Sequence, residues 1–428
     1  MRIIENPARD TWNDLIRRDV SDDELLSVRV AAIVEQVRQE GDRALLRLAK
    51  EIDGWENPCL QVPKEIIDSA SEKMNPELRK AIQTAADNIK RFHEAQRSPG
   101  IDIETIPGVQ CLQRSVPIQK VGLYIPGGTA PLFSTVLMLA IPAQIAGCKD
   151  IILCTPPSGK GIIAAEILYA ASICGVTRIF PTGGAQAIAA MAYGTETIPR
   201  VNKIFGPGNR YVTKAKQLVS MSQAAIDMPA GPSEVMILAD DSADAGFVAA
   251  DMLSQAEHGN DSQAIAVVDS PVLADKIVDC LKMQIGKLSR KEFAVKSLDN
   301  SKIIVLKEKR SMVDFANAYA AEHLIISTVD AWNIAAQITA AGSVFIGNFS
   351  PESAGDYASG TNHTLPTSGW AKAYSGVNLD SFMKKITYQV LTSQGLENLS
   401  DTIITMAEAE GLSAHANAVK IRLNAIQS

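Results

Sequence analysis

The stretch KVGLYIPGG, residues 120–128, decides the fold, because it is a short apolar run that ends in a Pro-Gly-Gly turn. Three further runs repeat this pattern, namely DIILCTPP (150–157), TRIFPTGG (177–184) and KIFGPGN (203–209). Helix-like segments such as 131–147 and 161–175 separate the runs. Short strands alternating with helices are typical of βαβ units, so this part of the chain is predicted to form a parallel sheet.

A second series of apolar runs begins beyond residue 232. It comprises EVMILAD (234–240), AIAVVDS (264–270), KIIVLK (302–307), HLIIST (323–328) and GSVFIGN (342–348). Residues 24–52, interrupted at Gly41, and residues 63–97 carry apolar side chains at helical spacing, and residues 378–428 are again predicted to be helical. Between the second series and the last helices, residues 348–376 form a polar, aperiodic loop. The sequence therefore predicts an α/β protein with two parallel-sheet modules and mainly helical ends.

Composition narrows the classes of function. The 428 residues are 46% hydrophobic and 21% charged, and 41 basic against 48 acidic side chains give a net charge of −7. This balance predicts no general attraction to nucleic acid or to an anionic membrane. The first residues, MRIIENPARDTWNDL, lack an apolar leader, and the most apolar stretch, 131–147, is shorter than the ~20 residues of a membrane span. Six cysteines without a CxxC pair are typical of buried thiols in a reducing compartment, which predicts a cytoplasmic protein that binds small molecules.

The dinucleotide fingerprint G-x-G-x-x-G is absent after every predicted strand. The first module instead has glycine-rich strand exits at 127–128, 183–184 and 206–209. Ligands of open α/β sheets commonly lie at such exits, where backbone amides and helix N-termini collect. Ordinary turns that require glycine explain them equally well, so this observation leaves both interpretations open.

The five histidines are the other informative positions. His93, in the polar segment RFHEAQRSPG, is predicted to lie at the surface. The remaining four lie beside acids or amides, in the pairs Gln255 and His258, Glu322 and His323, Asp356 and His363, and Glu410 and His415. The first pair has the i,i+3 spacing that allows two side chains to reach one metal, although two polar residues on an exposed helix would look the same. A carboxylate and an imidazole at the mouth of a strand, as at 322 and 323, could supply an acid-base pair.

Several longer motifs resemble those of the histidinol dehydrogenase family, and the resemblance runs from about residue 28 to the C-terminus. The motifs are VGLYIPGG, GGAQAIAA, FGPGNRYV, MPAGPSE, SQAEHG, AEHLI, GDYASGTNHTLPT and AEAEGLSAH. Members of this family oxidise L-histidinol through L-histidinaldehyde to L-histidine with two NAD and contain zinc. The resemblance therefore implies an NAD-dependent, zinc-containing oxidoreductase of histidine biosynthesis.

Site residues follow from the same resemblance. One Zn²⁺ per subunit is expected on Gln255, His258, Asp356 and His415. His323 is expected to be the general base, and Glu322 the group that activates water. The substrate is expected to contact Ser233, His363 and Glu410, together with His323 and the zinc-bound side chains of Gln255, His258, Asp356 and His415. NAD is expected near Tyr124, Gln186 and Asn209, one at or near each glycine-rich exit.

The resemblance also implies two incomplete Rossmann-like domains and a domain-swapped homodimer with shared active sites. The expected units are residues 24–118 with 232–375 (zinc and catalysis), 119–231 (NAD), and 1–23 with 376–428 (a mainly helical dimerisation region with Glu410 and His415). Two alternatives remain open. One is a related zinc-dependent dehydrogenase that oxidises another small polar alcohol to an acid, and the other is a zinc-stabilised binding or scaffold protein without catalysis.

Overall fold

The computed structural model describes residues 1–18, 24–55, 59–127, 131–157, 163–229 and 231–427. Its strands are β1 (Arg2–Glu5), β2 (Ile101–Ile106), β3 (Val109–Pro117), β4 (Lys120–Tyr124), β5 (Asp150–Cys154), β6 (Arg178–Phe180), β7 (Lys203–Phe205), β8 (Ala225–Ile226), β9 (Glu234–Ala239), β10 (Gln263–Val268), β11 (Lys302–Val305), β12 (His323–Ser327), β13 (Ser343–Ile346) and β14 (Met383–Leu391).

The helices cover much of the remaining chain. They are α1 (Trp12–Leu15), α2 (Glu24–Glu40), α3 (Asp42–Asp53), α4 (Lys64–Asp68), α5 (Pro76–Glu94), α6 (Phe133–Ala146), α7 (Ala165–Ile173), α8 (Gly184–Tyr193), α9 (Arg210–Ser220), α10 (Ala245–Ala256), α11 (Pro271–Ile285), α12 (Lys291–Asp299), α13 (Lys309–Tyr319), α14 (Ala331–Ala335), α15 (Glu352–Tyr357), α16 (Ser393–Ala409) and α17 (Ser413–Gln427). Short 3₁₀ turns occur at Arg9–Thr11, Ser69–Lys73, Trp370–Lys372 and Leu379–Phe382. None of these helices has both the length and the apolar character that crossing a bilayer would require, as far as the described ranges extend.

The first module is a parallel sheet in the order β6-β5-β4-β7-β8. Helices cover both faces, so the strands can be apolar on both sides instead of alternating. From β4 the chain adds β5 and β6 on one side and then β7 and β8 on the other, so the strand order reverses between β4 and β7. The connections after two such strands run to opposite sides and leave a crevice between their carboxyl ends. The predicted glycine-rich exits therefore lie at the edge where a ligand would be expected.

The second module is a parallel sheet in the order β1-β11-β10-β9-β12-β13. Every residue of β9, β10 and β12 is buried, since helices again cover both faces. The predicted α/β class and both series of parallel strands are confirmed. Strand β1 was not anticipated, because it is only four residues long and lies at the sheet edge.

A third, antiparallel sheet in the order β14-β3-β2 corrects the expectation that residues 378–428 are helical throughout. Strand β14 is exposed along nearly its whole length, and its alternating residues Ile386, Tyr388 and Val390 were overlooked within a segment that continues into two helices. The chain then continues into α16 and α17, which pack against each other.

The packing of the N-terminal helices differs from the predicted grouping of residues 24–118 with 232–375. Helices α2 and α3 pack on α8, and α2 also on α9, while α5 packs on α6, so all three cover the five-stranded sheet. The physical reason is the apolar stripe of α2, which includes Val30, Val34 and Val37 and is buried in the core of that module. Residues 1–18 contribute β1 to the six-stranded sheet, so they are not wholly helical either.

Two smaller expectations also need correction. His93 is fully buried instead of exposed, with its Nδ1 2.8 Å from the carbonyl oxygen of Ile89, because it lies on the face of α5 that faces the core. Among the cysteines, Cys154 and Cys174 are buried, whereas Cys59 is exposed and the other three are half-buried.

Candidate active site

Glu322 and His323 stand at the amino end of β12, between β9 and β13. Helix α13 ends at Tyr319, and the next residue, Ala320, has a φ of +55° that turns the chain sharply before the strand begins. The carboxylate of Glu322 is buried and accepts a hydrogen bond of 2.9 Å from the backbone N–H of Glu234. Its Oε2 lies 3.7 Å from Nδ1 of His323, so the turn brings the neighbouring side chains together at one place.

The surroundings of Glu322 and His323 shift the pKa of both side chains. Burial raises the pKa of Glu322 to about 8, although the neighbouring His323 opposes this shift. Burial lowers the pKa of His323, but the carboxylates of Glu352, Glu322 and Asp356 outweigh it and raise that pKa to about 10. A carboxylic acid and an imidazole with strongly shifted pKa values in one buried place form a candidate acid-base pair.

Beside this pair lies a group of side chains with the donor types of a metal site. One ligand atom from each of His258, Glu352 and Asp356 lies within 4.8 Å of the others. Asp356 Oδ1 is also 3.5 Å from His323 Nε2, which links the group to the acid-base pair. Helix α15 carries the two carboxylates at i and i+4, so they project from one face of that helix.

Two buried side chains, one three residues before His258 and one within this group, have no hydrogen-bond partner in the described structure. They are Gln255, whose amide oxygen and nitrogen are both unpaired, and Glu352, whose two carboxylate oxygens are unpaired. Leaving a buried polar group unpaired costs about 1–3 kcal/mol, so unpaired groups of this kind indicate a site for a ligand that would pair with them. The donors of Gln255, His258 and Asp356, with Glu352 beside them, fit a divalent cation such as Zn²⁺. Glu352 was missed by the sequence analysis, although its spacing of four residues from Asp356 was a usable signal.

His363 and Ser233 lie at the same site. The His363 ring is held from both sides, with Nδ1 2.8 Å from the backbone oxygen of Asp356 and Nε2 3.1 Å from the hydroxyl of Thr135. Since a carbonyl only accepts, Nδ1 carries the proton, and Nε2 of the neutral ring accepts from Thr135. Thr135, on α6, was not among the predicted site residues.

A cavity joins these residues to the first module. It is lined from the carboxyl edge of the five-stranded sheet by Gly206, Pro207, Asp227 and Met228, from the amino edge of the six-stranded sheet by Ser233 and Glu322, and from the polar loop by His363, Thr364, Leu365 and Thr367. The candidate site is therefore built between opposite edges of two parallel sheets.

The three predicted NAD residues lie at the carboxyl ends of strands β4, β6 and β7 of the first module. Tyr124 ends β4 and accepts a 3.1 Å hydrogen bond from the backbone N–H of Gly184 on its hydroxyl oxygen. Gln186 is buried in the first turn of α8, and Asn209 caps α9 by accepting from the N–H groups of Tyr211 and Val212. All three thus lie at the carboxyl edge of one sheet.

Glycine is required at this edge. A Cβ at Gly206 would lie 2.0 Å from the carbonyl oxygen of Tyr124, and a Cβ at Gly127 would lie 2.1 Å from a ring carbon of Pro156. Gly128, also part of a predicted exit, lies outside the described residues. The close approach of the β4 and β7 ends leaves backbone rather than side chains at the surface of the crevice.

Glu410 and His415 are not brought to this cluster within one chain. Both are exposed, Glu410 directly after α16 and His415 in the first turn of α17. Their backbone N–H groups bond to Met406 and Leu412, within their own helical hairpin.

Two parallel sheets with crossover helices, a glycine-lined crevice and a buried acid-base pair beside metal-type donors define an α/β oxidoreductase of the dehydrogenase class. The family model described as histidinol dehydrogenase matches residues 16–423. The chain belongs to the histidinol dehydrogenase family. This confirms both the resemblance and the prediction of an oxidoreductase of histidine biosynthesis.

Individual relatives agree with this membership. A histidinol dehydrogenase of Bacteroides fragilis (strain YCH46) is 56% identical over 427 residues, covering 100% of both chains. One from Vibrio parahaemolyticus is 51% identical over 400 residues, covering 93% of this chain and 92% of the relative. The crystal structure of histidinol dehydrogenase from Elizabethkingia anophelis superposes with a TM-score of 0.97 at 50% identity, covering 100% of this chain and 99% of that one.

Proposed function

We propose that the protein oxidises L-histidinol to L-histidine through L-histidinaldehyde, with NAD as hydride acceptor in both oxidations. The observation that carries this proposal is the buried Glu322–His323 pair beside metal-type donors, at a cavity shared with the glycine-lined crevice. Two oxidations at one site need a base for an alcohol and a base for water, and the pair offers two groups of different chemistry.

In the first oxidation, His323 takes the proton of the substrate hydroxyl as the hydride leaves the same carbon. Its Nε2 is 3.5 Å from Asp356, and its other side is occupied by Glu322 and Glu352, so the ring is held in one orientation by charge. The carboxylates that raise its pKa include those of the metal-type group. A cation bound by these carboxylates would lower that pKa toward the range in which imidazole accepts a proton.

In the second oxidation, Glu322 takes a proton from water as the water oxygen bonds to the aldehyde carbon. The aldehyde oxygen takes the proton that His323 received in the first oxidation, which gives a gem-diol. The gem-diol then gives a hydride to NAD and a hydroxyl proton to His323, and the carboxylic acid so formed releases its remaining hydroxyl proton to leave the carboxylate of L-histidine. The buried position of Glu322, with its pKa near 8, suits a group that binds and releases a proton at neutral pH.

We assign Zn²⁺ to Gln255, His258, Asp356 and His415, with the last supplied by a second copy of the chain. When bound, the ion would hold and orient the substrate through its amine and imidazole nitrogens. The unpaired amide of Gln255 and the grouping of His258 with Asp356 support this assignment. Glu352, in the same group, is close enough to be a further oxygen donor.

Substrate contacts are assigned to Ser233, His363 and Glu410, besides His323 and the zinc-bound side chains. Glu410, like His415, is exposed in the single chain and would come from the second copy, where its carboxylate could pair with the cationic amine. This assignment requires a domain-swapped homodimer. NAD is assigned to Tyr124, Gln186 and Asn209 at the carboxyl edge of the five-stranded sheet. A cytoplasmic location belongs to the same proposal.

The direct test is to incubate the zinc-loaded protein with L-histidinol and NAD and to count NADH formed per L-histidine released. We expect two NADH per histidine. A ratio of one with accumulation of aldehyde, or no reaction with L-histidinol, would contradict the proposal. Other small polar alcohols serve as the specificity control, since faster turnover of one of these would favour the related dehydrogenase activity.

A further inference from the structure

Arg18 makes a buried ion pair at the back of the candidate site. Its Nε donates to Oε2 of Glu234 and its Nη2 to Oε1, each at 2.7 Å, so the guanidinium grips the carboxylate with two bonds. Nη2 also donates to the carbonyl oxygen of Tyr319 at 2.9 Å, and the guanidinium lies 3.8 Å from the centre of the Tyr319 ring. Only 16% of the Arg18 side chain is exposed, and 2% of Glu234.

Glu234 connects this pair to the proposed water-activating group. Its backbone N–H donates to Oε2 of Glu322 at 2.9 Å, while its carboxylate accepts from the backbone N–H of Ser368 at 3.1 Å. One residue therefore contacts Arg18, the polar loop and Glu322. The two steps proposed above use neither Arg18 nor the side chain of Glu234.

We propose that Arg18 is a positioning residue for Glu322, because its pairing with Glu234 compensates a second buried negative charge, on the residue whose backbone N–H binds the water-activating carboxylate. This inference rests on the proposed role of Glu322 in oxidising the aldehyde. The segment that carries Arg18 is fixed in place by strand β1, which pairs with β11, and by the packing of Trp12 against Phe315.

The charges around Glu322 determine the sign of the expected effect. His323 favours its charged form, whereas the carboxylates of Glu234 and Asp356 disfavour it. Glu352 is a further carboxylate within range of Glu322. Without Arg18, the Glu234 charge would act on Glu322 uncompensated and make the base form harder to reach. Without the Glu234 charge, the base form would be reached more easily.

The experiment measures kcat/KM for oxidation of supplied L-histidinaldehyde against pH, with zinc-loaded protein of verified zinc content. We expect Arg18→Gln to move the acidic limb of this pH profile to higher pH, by about one pH unit. Glu234→Gln should move the same limb to lower pH. The double variant Arg18→Gln/Glu234→Gln should return close to the unchanged protein, and Arg18→Lys, which keeps the charge, should move it least. Arg17→Gln is the matched control, because it removes the same charge from an exposed neighbour.

Opposite shifts distinguish charge compensation from a general loosening of the site, which would change all variants in the same direction. Shifts of the same sign, no shift, or an equal shift in Arg17→Gln would overturn the inference. If Arg18→Gln does not fold, Glu234→Gln and the double variant still decide the question by the same criterion. If the unchanged protein does not oxidise L-histidinaldehyde at all, the proposed function fails, and this inference fails with it.

Discussion

Replacing Gly206 by alanine is expected to weaken the carboxyl edge of the five-stranded sheet and, with it, NAD binding. The residue has a φ of +124°, and a Cβ would lie 2.0 Å from the carbonyl oxygen of Tyr124. Carbon–oxygen contacts are ordinarily about 3.3 Å or longer, so the two strand ends would have to separate by about 1.3 Å. The backbone conformation costs about 1–3 kcal/mol in a residue other than glycine, and relieving the overlap costs about 1–3 kcal/mol more.

A loss of about 2–6 kcal/mol is a large fraction of the ~5–15 kcal/mol by which proteins of this kind are stable. The displaced strand end carries Tyr124, and the displaced turn leads into Asn209. Because about 1.4 kcal/mol corresponds to a factor of ten in affinity, we expect the KM for NAD to rise at least about tenfold. The KM for L-histidinol should change less, since its proposed ligands lie outside the five-stranded sheet.

The assay combines urea unfolding with steady-state kinetics in which NAD and L-histidinol are varied separately. Gly286→Ala is the matched control, because Gly286 has a φ of −64° and a Cβ there would meet no atom within 4 Å. That control should remain within about 0.5 kcal/mol of the unchanged protein. Equal unfolding midpoints and equal KM values for NAD in the two variants would refute the reasoning.

Three further predictions concern the chemistry. Chelation should abolish turnover because the proposed zinc-binding side chains would lose the ion that orients the substrate, and added Zn²⁺ should restore it, as measured by NADH formation. Glu322→Gln should slow oxidation of supplied aldehyde about 100-fold or more, but slow the first hydride transfer much less, because only the second oxidation needs an activated water; single-turnover measurements separate the two. Glu322→Gln and His415→Ala should partly complement each other in mixed dimers, because one of the two sites then receives both unchanged residues.

Each of these predictions has a result that contradicts it. Full activity in protein verified to be metal-free would contradict the proposed zinc site. Equal losses in both half-reactions would remove the division of labour between Glu322 and His323. Confirmed heterodimers without recovered activity would mean that each site is built from a single chain, and a homodimer of either variant alone provides the baseline.

The parallel sheets were predictable because burial on both faces demands continuous apolar runs, and each run ends at a glycine or proline. The antiparallel sheet was not predicted, since β14 is exposed on both faces and offers only a short alternation at Ile386, Tyr388 and Val390 instead of a continuous apolar run. Periodicity predicted α2 as a helix but could not say which sheet its apolar stripe would cover. The sheet on which a helix packs depends on the arrangement of the whole chain, and the spacing of apolar residues within the helix does not reveal it.

For the site, local spacing suggested the Gln255 and His258 pair and the neighbouring Glu322 and His323. It could not show that Asp356 would approach His323, because the two lie on different elements 33 positions apart. Family motifs supplied that link. Glu352 was missed because no quoted motif reaches it; its spacing from Asp356 was the only sequence signal, and its buried, unpaired oxygens are seen only in the structure.

Strand β1 has a consequence for how the chain is made. Residues 2–5 pair with residues 302–305, so β1 cannot pair with β11 until about 300 further residues have been synthesised. The strands of the five-stranded sheet all lie between these two segments and can assemble during that interval. The order of synthesis thus favours early completion of the five-stranded sheet, whereas β1 can join the six-stranded sheet only after β11 has been made.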